Sequence, residues 1–161
     1  MYRFRSLLLA ISTFPSICAG ATDTDQLRQN IGVSEVKYIN VVREIAKPTA
    51  LAPIRVKNGV KFMSLATNST GEVVVQNAVI GFDHGGSFQP APGTAVVVHV
   101  HNSEMSPKPD PADYAALREY ELPCFIISSD GENIWEIAII DGMNKFRAIQ
   151  SSGIGEWVDF K

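Results

Sequence analysis

The sequence predicts an α/β domain with a single mixed β-sheet flanked by helices. Short runs rich in valine and isoleucine recur along the chain between glycine-containing turns, which is typical of strands. Two other segments show helical spacing or a helix-start signal. Strand pairs joined by tight turns outnumber the connections long enough for a crossover. We therefore expect a sheet that is mixed and not wholly parallel.

The first half of the domain contributes one helix and a hairpin. Apolar residues spaced mostly by three, from Ile31 to Ile45, predict a helix that ends before Pro48. The runs KFMSLA and EVVVQNAVI surround the turn sequence TNSTG and predict a β-hairpin. The glycines and prolines of GFDHGGSFQPAPG predict a loop.

The second half alternates strands with one short helix. TAVVVHVH is apolar on both faces until its end, so we expect a central strand. PADYAALREYE predicts a helix closed by Pro123. CFIISS and NIWEIAII predict a second hairpin around an Asp-Gly turn, and KFRAI predicts the last strand.

The N-terminal segment is typical of a secretory signal peptide. Arg3 and Arg5 precede the apolar stretch SLLLAISTFPSICAG, which is short for a membrane span and ends in small residues. We expect residues 1–21 to be removed and residues 22–161 to form one periplasmic or secreted domain, with no stable membrane insertion. The alternative is an uncleaved membrane anchor.

Charge and cysteine content restrict the function classes. The formal net charge is −3 and the lysines and arginines are not clustered, so binding to nucleic acid is not favoured. After signal removal Cys124 would be the remaining cysteine, which leaves no internal disulfide. Because Cys124 begins the apolar run CFII, we expect a buried, unreactive thiol.

The stretch VHVHNSEMSPKPDPADY, residues 98–114, contains the candidate functional site. His99 and His101 are two positions apart on a strand and therefore point to the same face. Asp110 and Pro111 have the residue types of a helix N-cap and first helical position, which places Asp113 in the first turn. Two imidazoles and a carboxylate are donors that zinc prefers, so we predict Zn²⁺ at His99, His101 and Asp113. The alternative is that Asp113 only complements the helix dipole.

This stretch resembles the JAB/MPN metalloprotease (JAMM) motif, H-x-H-x7-S-x-x-D. His99, Val100 and His101 match its first part and Asp113 its last residue, with a connector one residue longer. The resemblance runs from about residue 35 to 140, and LPCFIISSDGENIWEI is similar to bacterial JAMM-like domains, including those of secreted toxin systems. It implies a JAB/MPN-like (cytidine-deaminase-like) architecture, a zinc ion, and hydrolysis of a peptide or isopeptide bond.

Two positions depart from the JAMM pattern. Asp110 stands where the family has a serine that stabilises the oxyanion. The family's general-base glutamate, placed on the first strand of the hairpin, corresponds to Lys61, which cannot act as a carboxylate base. Glu44, Glu72 and Asp110 are the other carboxylates considered. Asp110 is the closest in sequence and is our candidate catalytic residue.

Three functions remain open from the sequence. The first is an exported zinc metallohydrolase acting on a peptide or protein. The second is a catalytically impaired JAMM-like module that binds a protein partner outside the cytoplasm, and the third is a metal site that only stabilises the domain. Asp83 and His84, in the loop before the histidine strand, could contact the site or lie in solvent, and Asn68-Ser69-Thr70 fits either an N-glycosylation sequon or a plain turn.

Overall fold

The computed structural model describes residues 30–31, 34–51, 61–80 and 88–161. The helices are α1 (Val36–Ile45), α2 (Pro48–Leu51) and α3 (Pro111–Tyr120). The strands are β1 (Asn30–Ile31), β2 (Lys61–Thr67), β3 (Val73–Ile80), β4 (Val96–Val100), β5 (Cys124–Ile127), β6 (Ile134–Ile140), β7 (Met143–Gln150), β8 (Gly153–Ile154) and β9 (Val158–Asp159). The predicted signal peptide, Asp83 and His84 lie outside the described residues.

The strands form a mixed sheet, as the sequence predicted. Its order is β3-β2-β4-β5-β6-β7-β8, with β1 paired to β6 and β9 paired to β7. The pairing of β4 with β5 is parallel, and the other described pairings are antiparallel. The parallel pair is the one whose strands are joined through a helix, α3, since parallel neighbours need a crossover connection.

The sheet separates two apolar clusters, one on each face. Ile39 and Val42 of α1 belong to a buried cluster with Val96, Val98 and Val100 of β4. On the other face, Tyr114 and Leu117 of α3 cluster with Val97 of β4 and with residues of β5 and β6. β4 is buried along its whole length, which explains its apolar residues on both faces and confirms the predicted central strand. We call these two sides the α1 face and the α3 face.

The predicted start of the first helix is wrong. α1 begins at Val36 and not near Ile31, because Asn30 and Ile31 pair with Ile140 and Ile139 of β6. This long-range pairing overrides the local helical spacing. Both hairpins, the helix at residues 111–120 and the last long strand lie where the sequence predicted them.

Two further expectations concern the thiol and the membrane. Cys124 is a free, buried cysteine, as predicted, and burial, with a smaller contribution from the negative charge of Asp113, raises the pKa of its thiol. Within the part of the chain that the structure describes, the helices are too short to cross a bilayer.

Candidate metal centre

The end of β4 delivers both histidines to the α3 face. Phe62 of β2 pairs with His99, and the two rings stack with centroids 4.3 Å apart. His101 lies one residue beyond the strand, but its backbone N–H donates to the Ile127 carbonyl at 2.8 Å. This bond continues the extended backbone, so the two imidazoles face the same side. Their ring centroids are 4.7 Å apart.

The first turn of α3 delivers the carboxylate of Asp113. Asp110 is the N-cap, and its Oδ1 accepts hydrogen bonds from the backbone N–H groups of Ala112 at 2.7 Å and Asp113 at 3.2 Å. In return, the backbone N–H of Asp110 donates to Asp113 Oδ2 at 2.8 Å. This reciprocal capping box, with Pro111 at the first helical position, fixes the Asp113 side chain.

The three predicted ligands converge on one buried point. Asp113 Oδ1 lies 2.6 Å from His99 Nδ1, and Asp113 Oδ2 lies 3.4 Å from His101 Nε2. One ligand atom from each residue lies within 4.8 Å of the others. The exposed fractions are 7% for His99, 2% for His101 and 2% for Asp113. These residues are therefore close enough to bind a metal ion.

The hydrogen bonds of the two rings leave two acceptors opposed and one buried ring nitrogen without a partner among the described residues. His101 Nδ1 lies 2.6 Å from the Ser106 carbonyl, which can only accept, so Nδ1 carries a proton. A neutral His101 ring then turns an unprotonated Nε2 toward the Asp113 carboxylate, and two acceptors face each other. His99 Nε2 is buried with no hydrogen-bond partner among the described residues. A proton on His101 resolves the first conflict, and the three side chains are also close enough to bind a metal ion through nitrogen and carboxylate donors.

We call His99, His101 and Asp113 the triad. The electrostatics of the triad favour an ionised carboxylate at Asp113. Burial acts to raise the pKa of Asp113, but the hydrogen bonds and charges of His101 and His99 outweigh it and hold that pKa well below its usual range. Burial lowers the pKa of His99 more than Asp113 raises it. For His101 the balance is reversed, because Asp113, the Ser106 carbonyl and the charge of Asp110 together outweigh burial and raise its pKa.

The structure places Lys61 away from this centre. Lys61 pairs with Val100, whereas its neighbour Phe62 pairs with His99, so Lys61 lies on the α1 face and Phe62 on the α3 face. Lys61, which we considered as the counterpart of the family's glutamate, therefore lies on the face of the sheet opposite to His99. The hairpin side chain that faces His99 is the aromatic ring of Phe62, which stacks in turn on Phe88 with centroids 5.2 Å apart.

Of the carboxylates considered from the sequence, Glu44 and Glu72 are far from the triad. Glu44 is exposed on α1, and that helix covers the opposite face of the sheet. Glu72 follows the hairpin turn near Thr67, which is five residues along β2 from Phe62, or roughly 17 Å. Asp110 is adjacent to the triad and partly exposed, with Oδ1 used by the helix cap.

Sequence reasoning missed two groups that surround the centre. The Ser106 carbonyl orients His101, and the Trp135 indole N–H donates to the neighbouring Pro107 carbonyl at 2.8 Å. Both acceptors are backbone atoms, which residue types do not reveal. The only available signal was the proline-rich connector, which is typical of a segment with a fixed path.

Neither of two surface cavities of the described residues opens onto the triad. One, of about 770 Å³, is lined by the end of α1 and by parts of β6 and β7. The other, of about 580 Å³, is lined by residues 88–94 and the end of α3. His99, His101 and Asp113 line neither of them. In this conformation the three ligands are covered by protein.

The chain was compared with protein-family models, with curated proteins and with solved structures. None of the three comparisons found a match.

Proposed function

We propose that this chain is an exported, JAMM-like module with a JAB/MPN-like architecture that binds one zinc ion through His99, His101 and Asp113. We further propose that it is catalytically impaired and serves as a binding module for a protein partner in the periplasm or outside the cell. The zinc site would join the end of β4 to the start of α3.

The observation that carries zinc binding is the conflict among acceptors at the triad. The Ser106 carbonyl fixes His101 so that Nε2 faces the Asp113 carboxylate at 3.4 Å. Ligating histidines typically donate their second ring N–H to such a backbone carbonyl, which selects the tautomer that binds metal. Two imidazole nitrogens and one carboxylate suit zinc better than calcium or magnesium, which prefer oxygen donors. A bound zinc ion would supply a Lewis acid and an electrostatic tie between two elements.

The surroundings of the triad support the impaired module over a working hydrolase. The three side chains are nearly inaccessible, whereas a substrate carbonyl must reach the metal of a hydrolase. Phe62 occupies the hairpin position that faces His99 and cannot transfer protons. Losing a general base removes about 10²–10⁴-fold of rate.

A protein partner is supported by the exposed edge of the sheet. β3 is the terminal strand in the order of the described strands and exposes Val74, Val75 and Val79. Edge strands with apolar side chains pair readily with other chains.

The second candidate is the zinc metallohydrolase acting on a peptide or isopeptide bond. Asp110 favours it, because its partly exposed carboxylate lies beside the triad, and its charge acts to raise the pKa of both histidines, although burial outweighs this at His99. Three protein donors also leave one position open on a tetrahedral ion, which is the pattern of catalytic zinc sites.

Metal analysis of the purified mature protein tests the site. We expect about one zinc per chain in the wild type, as the single triad predicts. His99→Ala should lose the metal, because it removes one of three ligands. Glu44→Gln is the control, since Glu44 is an exposed carboxylate on the opposite side of the sheet, and it should keep the metal. A wild type that binds no zinc, or a His99→Ala variant that retains it with unchanged affinity, would contradict the proposal.

Hydrolysis assays separate the two candidates. The zinc-loaded module should be inert toward a broad panel of peptides and isopeptides. Metal-dependent hydrolysis that disappears in Asp110→Asn, with zinc still bound, would instead establish the metallohydrolase and assign Asp110 as its base.

A further inference from the structure

We propose that Trp135 is a positioning residue for the metal centre, which acts by holding the connector of residues 102–109 over His101. The inference rests on the proposed metal binding at the triad. The connector would be the segment that covers this site, and Trp135 would be the residue that holds the connector in place.

Trp135 and the triad share one face of the sheet. His99 pairs with Ile126, and Ile126 pairs with Trp135, so the three residues form a row across β4, β5 and β6. Paired residues in a sheet point to the same side. Trp135 therefore stands on the α3 face, two strands from His99, and beside the connector that runs from His101 to α3.

Two adjacent carbonyls of the connector are held by this face. His101 Nδ1 donates to the Ser106 carbonyl at 2.6 Å, and Trp135 Nε1 donates to the Pro107 carbonyl at 2.8 Å. Because the two acceptors belong to consecutive residues, the position of one largely fixes the position of the other. The indole thus supports the carbonyl that selects the tautomer of His101.

The other hydrogen bonds of the connector, among the described residues, are internal to it. Asn102 Oδ1 accepts from the backbone N–H groups of Glu104 and Met105, and Ser106 Oγ accepts from that of Lys108. These bonds shape the segment but do not attach it to the sheet. Among the described side chains, His101 and Trp135 make the hydrogen bonds that attach the connector to the sheet, and His101 would itself be engaged by the metal.

The alternative is that Trp135 serves only in packing. Its ring meets Phe146 edge-on with centroids 5.4 Å apart. Trp135→Phe separates the two roles, because it keeps an aromatic ring and removes the N–H donor. Incorporation of 1-methyltryptophan at position 135 removes the same donor with the indole ring kept, and serves if the phenylalanine variant folds poorly.

Zinc release from the loaded mature protein into excess chelator is the first measurement. Both position-135 variants should release zinc about three- to tenfold faster than the wild type, which corresponds to the loss of one hydrogen bond. Trp157→Phe is the matched control, since the Trp157 ring lies against Arg147, and it should release zinc at the wild-type rate.

Two readouts do not depend on zinc release. Amide hydrogen exchange in residues 102–109 should be faster in both variants, also in the zinc-free protein. The ¹⁵N shift of His101 Nδ1 should also change, because its hydrogen bond to the Ser106 carbonyl is loosened. Unchanged release and unchanged exchange in both variants would overturn the inference. If the wild type binds no zinc, the proposed function fails, while the exchange experiment still decides whether Trp135 holds the connector.

Discussion

At the scale of single residues, the three side chains of the triad shift one another's pKa values, because a carboxylate lies between two imidazoles. Asp113 is ionised because both imidazoles donate to it or face it, although burial alone would favour its neutral form. The pKa values of the two histidines are shifted in opposite directions, because burial lowers that of His99, whereas the Asp113 carboxylate and the Ser106 carbonyl raise that of His101. A buried carboxylate of this kind makes the metal-free protein sensitive to acid.

Acid should destabilise the metal-free domain through Asp113. The pKa of Asp113 is lower in the folded protein than in the unfolded chain, so its contribution is present above about pH 4 and is lost as the pH falls through the folded value. We expect a loss of about 2–3 kcal/mol in the free energy of unfolding below about pH 4, typical of a hydrogen-bonded carboxylate. Urea unfolding of the zinc-free protein at several pH values measures it.

The control for this acid sensitivity is an exposed carboxylate. Asp113→Asn should flatten the decline below about pH 4, because it removes the titrating group. Asp159→Asn should leave the decline unchanged, since Asp159 is exposed and pairs with Lys145 at the surface. An equal decline in the wild type and in Asp113→Asn would show that other groups cause it.

At the scale of secondary-structure elements, α3 begins with an N-terminal cap that the sequence predicted. Asp110, Pro111 and Asp113 were expected at the N-cap, first position and first turn, and the structure has them there. The cap has a second effect, because the Asp110 backbone N–H holds one oxygen of Asp113. Helix stability and ligand geometry are therefore linked at this one turn.

Removal of the cap should cost stability in proportion to the lost hydrogen bonds. Asp110→Ala should lower the free energy of unfolding by about 0.5–2 kcal/mol, since two backbone N–H groups lose their acceptor. Asp110→Asn should lose much less, because an amide oxygen still accepts. The proposed zinc ion should stay bound in both variants, because the backbone donor to Asp113 remains. If Asn destabilised the domain as much as Ala, the charge and not the cap would be what Asp110 contributes.

The elements that local signals specify were predictable, and those that depend on distant pairing were not. β4, α3 and the convergence of His99, His101 and Asp113 follow from alternation on a strand and a cap signal within 15 residues of sequence. The predicted start of α1 was wrong because β1 pairs with β6, more than 100 residues away in the sequence. The sequence also did not reveal that Lys61 lies on the face opposite to His99, because the face depends on the pairing of β2 with β4.

At the scale of the whole molecule, a second buried charge cluster lies on the α1 face of the sheet. Glu136 pairs with Phe125, which belongs to the buried cluster on the α1 face. The Glu136 carboxylate is therefore on the side opposite to the triad. It accepts from the backbone N–H and hydroxyl of Ser34 at 2.7 and 2.8 Å, and from Arg147 at 2.6 and 2.7 Å. This cluster joins the segment before α1 to β6 and β7, and Trp157 covers the guanidinium with 4.4 Å between it and the ring centroid.

Breaking this pair should destabilise the domain strongly without touching the metal centre. Arg147→Met leaves the fully buried Glu136 carboxylate without its cation, and the expected loss in the free energy of unfolding is about 3–5 kcal/mol. Lys145→Met is the matched control on the same strand, because Lys145 pairs with a half-exposed Asp159, and its loss should be at most about 1 kcal/mol.

Adding Glu136→Leu to Arg147→Met should recover part of the loss by removing the unpaired charge, although Ser34 then lacks its acceptor. Urea unfolding measures the three losses, and zinc content of the folded protein should stay at the wild-type level, since the two clusters are on opposite faces. An Arg147→Met variant no less stable than Lys145→Met would mean that the carboxylate of Glu136 is satisfied without its ion pair.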